Sequence, residues 1–433
     1  MEQAIYNTFI QYSGMTCFAL AIIHIFMAGQ FDKISHLYPK DSAWNGFFHI
    51  LAEIEVVFGI WAGIFLTIFY INSGFEPMYE YLTTRNYNEP VFIFIIMIVA
   101  ATRPILKTVT NIVNYAGDKL TTWFRLPGAV GVYFILLAIV PILGSLITEP
   151  AAITLAALIL SDKIFSQEIS KKLKYATLAT LFVNISIGGT LTNFAAPPVL
   201  MVANVWEWTN SYMFYNFGWK AALACVVNTF IVIIMFRKEL GYIQIDAPRK
   251  ESEYEKIPVF VVGMHFVLLA AIVIAGHYPA LLIGLFIIFL GLCVKVYRRY
   301  QDRIIYEQAF LVAFFLAGLV ILGGMQAWWL KPLLMNMSNV EVMFGAIGLG
   351  AFTDNAAITY LGSLVPNLSE EFKQALVTGA VCGGGLTVIA NAPNPAAVNI
   401  LKKDLENHAV EPLTLFKFAI IPTLVALGFM SLL

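Results

Sequence analysis

Charged residues are scarce in this sequence. Asp, Glu, Lys and Arg make up 12% of the 433 residues, against roughly 25% in an ordinary soluble domain. Hydrophobic residues make up 59%, and the mean hydropathy is +0.78. A soluble fold of this composition would expose more apolar surface than water tolerates. Cysteine is rare as well: Cys17, Cys225, Cys293 and Cys382 stand singly in apolar segments. With no CxxC spacing they support neither a metal site nor a disulfide frame, and they read as small buried hydrophobes. No GxxxxGKS or GxxxxGKT stretch occurs, which argues against an ATP-driven pump. A net charge of −1 and the lack of a basic arm give nucleic acid no footing. No Lys or Arg precedes Gly14. The first apolar segment therefore lacks the basic region of a cleaved signal peptide and is expected to stay as a helix. Neither His24 nor His49 accompanies a serine or cysteine at a spacing that suits a nucleophile and its base, so neither an enzyme nor a cofactor is expected.

Long apolar runs are what the sequence has instead. Runs near or above ~20 residues imply an all-α polytopic membrane protein, since a transmembrane barrel would alternate over ~10-residue segments. Spans are expected at roughly 13–29, 47–72, 91–107, 174–206, 218–236, 258–276, 278–295, 308–328, 372–401 and 412–432. The stretches 127–165 and 340–366 are too long for one crossing and are expected to be re-entrant hairpins. Lys and Arg then set the orientation. Lys107, Lys119 and Arg125 precede the first hairpin, and Lys163, Lys171, Lys172 and Lys174 follow it. Arg237, Lys238, Arg249, Lys250 and Lys256 fill the linker 237–257; Lys295, Arg298, Arg299 and Arg303 come two spans later. All of these fall on one face, the cytoplasm, which leaves the N-terminus outside. On this count the N-terminal part, 1–236, and the C-terminal part, 258–433, match segment for segment with opposite sense. That is an inverted-topology repeat: about five transmembrane helices plus one re-entrant hairpin each, with broken helices at 174–206 and 372–401.

A short motif occurs in both parts. Thr148-Glu149-Pro150-Ala151-Ala152-Ile153-Thr154 recurs as Thr353-Asp354-Asn355-Ala356-Ala357-Ile358-Thr359, with five of seven residues identical. Each copy sets a carboxylate in an apolar stretch, where an ionised acid is costly. Each is followed by a glycine-rich break, Gly188-Gly189-Thr190-Leu191-Thr192 and Gly383-Gly384-Gly385-Leu386-Thr387. Gly supplies unusual dihedrals, Pro withholds a donor, and Thr and Asn supply oxygens. With the ends of half-helices they suit a small hard cation such as sodium. The same residues also serve packing and kinks in membrane helices. A carboxylate out of water disfavours its charged form and a bound cation favours it. Glu149 and Asp354 can thus each carry either a proton or a cation; a cap on a helix start is the plainer alternative.

A second polar group, His49, Glu53 and Glu55, lies in the span 47–72, with Arg103 a candidate partner for one of its acids. It reads either as an ion pair in the scaffold or as part of the ion path. His24 reads as a polar contact between helices, and Asn184 and Ser186 as further candidate ligands. Trp206, Trp208, Tyr212 and Tyr215 read as an interfacial aromatic belt.

The paired tips and GGxLT breaks resemble the ion-transporter superfamily, which includes NhaD-type sodium/proton antiporters, arsenite permeases and sodium-coupled dicarboxylate transporters. The stretches His49 to Gly59, Ala101 to Leu106 and Gly188 to Ala203 look most like a bacterial branch of sodium/proton antiporters. The resemblance implies cation sites formed by a hairpin tip and a helix break, one in each part of the chain. They are Thr148, Glu149, Thr190, Thr192 and Asn193, then Thr353, Asp354, Asn355, Thr387, Asn391 and Asn394. It further implies a bacterial inner membrane, sodium ions and protons as substrates, and a homodimer. Dicarboxylate carriers of this group typically carry Ser-Asn-Thr at the tips, whereas these tips are Thr-Glu-Pro and Thr-Asp-Asn. An acid there would repel a di-anion by several kcal/mol at low dielectric. Cation/proton exchange is therefore the expected activity, with sodium-coupled dicarboxylate transport as the alternative.

Overall fold

The computed structural model describes residues 7–39, 41–243, 256–276, 278–302, 304, 306–351, 353–406 and 410–432. Most of the linker, 244–255, lies outside the described residues, with Arg249 and Lys250 in it. Every regular element among the described residues is helical. Five helices are long and apolar enough to cross a membrane alone, and up to seven spans result if each of two bent pairs counts once. The chain is a polytopic, all-helical membrane protein.

The count falls below the ten spans expected: Val259–Ile274 and Pro279–Cys293 are apolar but short, and the expected broken spans 174–206 and 372–401 divide at their glycine stretches. Elsewhere hydropathy averages across interruptions that the backbone makes. The run 47–72 is two helices, Ala43–Ala52 and Ile54–Ser73, parted at Glu53, whose ψ of 112° leaves the helical region. The run 91–107 ends at Ala100, and the chain turns by 65° into a second helix, Arg103–Phe124. The latter, expected to be mostly loop, is amphipathic and buries Ile105, Val109, Val113 and Gly117, spaced four apart on one face. Pro104, in its first turn, withholds an amide that has no helical partner there. The run 308–328 likewise ends at Gly323 and bends by 81° into Ala327–Met335.

Contacts group the chain into two compact units, each drawing on sequence from both sides of the linker. The first comprises 1–94, 306–338 and 360–369. In it, Ile54–Ser73 packs against Thr8–Ser35 and Tyr306–Gly323. A Cβ at Gly318 would fall 2.4 Å from the Phe58 carbonyl carbon, so two backbones meet where small residues permit close approach. His24 Nε2 donates to the Leu51 carbonyl at 2.8 Å, and Trp61 Nε1 donates to His24 Nδ1 at 3.2 Å. His24 is thus a polar contact joining three helices.

The second unit, 95–305, 339–359 and 370–433, holds both hairpin tips and both glycine breaks. Its helix ends are tied by charge. Lys171 Nζ lies 3.0 Å from Glu406 and 2.5 Å from Glu411, and Tyr175 Oη accepts from the Glu411 amide. Hydrogen bonds from Lys171 and Thr414 hold the Glu411 carboxyl below its ordinary value of 4.5. A depressed carboxyl contributes stability above its unfolded value, and that contribution is lost as pH falls towards the folded one. Stability to thermal unfolding in detergent should therefore fall on acidification below 4.5, and less so in Glu411→Gln.

Trp208 departs from the expected interfacial belt. It is 3% exposed, stacks on Tyr212 and donates from Nε1 to Glu370. Tyr215, at 72% exposed, keeps a surface position.

Candidate functional site

Each half-helix in the second unit restarts with a recognisable device. The first hairpin is the helix Val130–Ile147, a turn at Thr148, and the helix Glu149–Leu160. The stretch expected as the second hairpin holds the helices Asn339–Gly350 and Asn355–Ser363. The first break separates Lys171–Gly188 from Pro197–Ala203, and the second separates Glu370–Gly383 from Asn394–Leu401. Three of the four restarts carry proline in the first turn, at Pro150, Pro197-Pro198 and Pro395, where its missing donor does no harm. The fourth, at Asn355, is preceded by Asp354, whose Oδ1 accepts from the Ala356 amide at 2.8 Å. That is the capping role anticipated as the alternative for these acids.

Both breaks close against their own hairpins in the same way. Thr192 Oγ1 donates to the Ser145 carbonyl, and Thr387 Oγ1 to the Ala351 carbonyl, each at 2.7 Å. A Cβ at Gly188 would lie 2.6 Å from the Pro141 backbone, and one at Gly383 2.9 Å from the Ile347 carbonyl. Thr148, at the first tip, has φ 76° and ψ 151°. That region belongs almost to glycine alone and costs about 1–3 kcal/mol.

Glu149 is fully buried at the start of its helix, where exposed amides favour an anion. Its Oε2 accepts from Asn391 Nδ2 at 2.8 Å, which ties the first tip to the second break. Gly189 lies against its other side: a Cβ there would be 2.5 Å from Oε1. In the opposite sense, Asn355 Nδ2 donates to Ser186 Oγ, and Ser186 donates to the Val381 carbonyl. Eight buried side-chain polar atoms among the described residues lack a hydrogen-bond partner. Five of them are oxygens at the tips and the second break: Thr148 Oγ1, Glu149 Oε1, Asn355 Oδ1, Asn391 Oδ1 and Asn394 Oδ1. Buried oxygens are almost always satisfied, which sets these five apart.

The remaining sequence candidates divide. Asn394 donates to the Gly384 and Thr387 carbonyls and so holds the second break in shape. Thr190 and Thr353 donate to the carbonyls of Ile187 and Leu349, in the helices just before them. Asn193 is turned aside: its side-chain amide donates to the Trp208 carbonyl and its backbone amide to Asn210. Asn184 is a packing knot bonded to Leu137, Cys225 and Asn228. His49 and Glu53 approach to 3.8 Å on an exposed face, and with Glu55 they belong to the first unit rather than the second. Arg103 lies 3.9 Å from Asp302 in an ion pair. Ser145 escaped sequence reasoning. It donates to the Gly188 carbonyl and accepts from the Leu191 amide, and its only local signal was a hydroxyl four residues before Glu149.

A helical membrane protein whose buried, unpaired oxygens gather at interrupted helices has the build of a transporter. Residues 9–433 match the family described as "Putative Na+/H+ antiporter", and the chain belongs to that family. No curated protein matches it.

Proposed function

We propose that the chain exchanges sodium for protons by letting the two ions compete for the hairpin-tip carboxylates. Sodium is held where tip and break meet, by Glu149 together with oxygens of Thr148, Asn355, Asn391 and Asn394, with Asp354 adding negative charge nearby. Protonation of a tip carboxylate releases sodium, and sodium binding expels the proton. The observation that carries this reading is a fully buried Glu149 with one oxygen unpaired, amid four other unpaired oxygens. The matching closure of each break on its own hairpin supports an inverted repeat, with 1–236 and 258–433 as its halves. Kinship to NhaD-type antiporters, a bacterial inner membrane and an external N-terminus belong to the same reading.

The alternative, sodium-coupled dicarboxylate transport, would bring a di-anion towards two carboxylates, a repulsive arrangement at low dielectric. Purified protein in liposomes with an internal pH dye separates the two. An imposed sodium gradient, with no organic anion present, should drive a pH change that reverses with the gradient. A silent dye, together with sodium-dependent uptake of labelled succinate, would overturn the exchange reading.

A further inference from the structure

The resemblance leads one to expect two cation sites, one in each half. The contacts describe something else. Glu149 of the first tip is bonded to Asn391 of the second break. The Asn394 amide donates to the Asn391 carbonyl at 3.0 Å, and the Asn394 side chain donates to the Gly384 carbonyl. Gly384 in turn abuts Asn355 of the second tip, since a Cβ there would lie 2.5 Å from Asn355 Nδ2. Glu149, Asn391, Asn394, Gly384 and Asn355 thus form one continuous path of contacts, and the four polar side chains are each fully buried. All four have a side-chain oxygen without a hydrogen-bond partner, as does Thr148 beside Glu149.

At the first break no side-chain oxygen of Thr190, Thr192 or Asn193 is both fully buried and unpaired. The two hydroxyls donate to Ile187 and Ser145 carbonyls, and the Asn193 amide donates to the carbonyl of Trp208. At the second tip, Asp354 Oδ1 accepts from the Ala356 amide and so caps the helix that begins at Asn355.

We infer that the chain holds a single composite sodium site, its shell drawn from the first hairpin tip, the second hairpin tip and the second break. It holds one ion per chain rather than one per half. Asn391 is the residue that joins the parts: its amide orients Glu149 and its carbonyl oxygen faces the ion. This rests on the exchange reading, and the test separates the two.

Equilibrium binding of radioactive sodium to the full-length protein in detergent gives the number of ions per chain. One is expected in the native chain. In Asn391→Ala, sodium affinity should fall about tenfold or more, as for a lost hydrogen bond to a charged group, and across the whole bound population. Two independent sites would bind two ions, and Asn391→Ala would leave one bound at native affinity; either result overturns the inference while leaving exchange intact. A native chain that binds no sodium sinks the inference and the exchange reading together. Gel filtration and thermal unfolding of Asn391→Ala control for its fold. Asn391→Ser, which keeps an oxygen, should bind sodium more tightly than Asn391→Ala; equal affinities would count against a ligand role.

Discussion

Glu149→Gln is expected to abolish sodium-driven proton movement, leaving no more than about a hundredth of native exchange. Glutamine keeps the size of the side chain, and its carbonyl oxygen can still accept from Asn391, so the protein should fold and elute as the native chain does. What disappears is a charge. Two unit charges 4 Å apart attract by about 4 kcal/mol at an effective dielectric near 20, which is about a thousandfold in affinity. Compensating hydrogen bonds reduce this, hence the more modest bound. The dye assay in liposomes reads exchange, and sodium binding in detergent reads affinity. Native-like exchange by Glu149→Gln would remove the central group of the site, because no other unpaired carboxylate oxygen is found among the described buried residues.

Gly385→Ala should be nearly as damaging, through packing rather than charge. A Cβ at this position would lie 2.5 Å from both the nitrogen and the Cα of Val183. Those atoms belong to Lys171–Gly188, a helix buried along most of its length. A side-chain tip can turn away, but a buried backbone cannot move without displacing the whole helix. Overpacking of this kind costs about 1–3 kcal/mol, and more where backbone must shift. The shift would fall between the two breaks, since Gly385 lies in one and Val183 five residues before the other. A lower unfolding temperature together with loss of exchange is expected. Gly263→Ala and Gly428→Ala are the controls: both sit in helices with no atom within 4 Å of a new Cβ. Alanine is favoured over glycine inside a helix by about 1 kcal/mol, so these variants should be as stable as the native chain or slightly more so. A Gly385→Ala protein that melts and transports like the controls would mean the two segments are not in contact in the working protein.

Much of the helical plan is legible in the residues themselves, because it depends on local properties. Apolar runs imply helices, since lipid leaves backbone amides no other partner. The glycine and proline stretches around Gly188 and Gly383 coincide with interruptions because those residue types act on their own backbone. Both tip acids stand out as charges in apolar surroundings. The same locality explains the misreadings. Averaged hydropathy passes over Glu53, where one expected span is two helices. It passes over Ala101 and Thr102 too, where a span turns into the amphipathic helix Arg103–Phe124.

The side-chain pairings lay beyond that reach. Glu149 meets Asn391 across 242 positions of sequence, and Asn355 meets Ser186 across 169. No periodicity or motif encodes a partner that far away; it is chosen by which helices pack together. Packing also separated the candidates. The side-chain oxygens of Asn391 and Asn394 were left unpaired, whereas the hydroxyls of Thr190 and Thr192 donate to nearby carbonyls, although both breaks read alike. Residue type determines which groups are able to hold an ion, and it is legible in the chain. Whether such a group is already hydrogen-bonded to a neighbour depends on where the rest of the fold brings that neighbour.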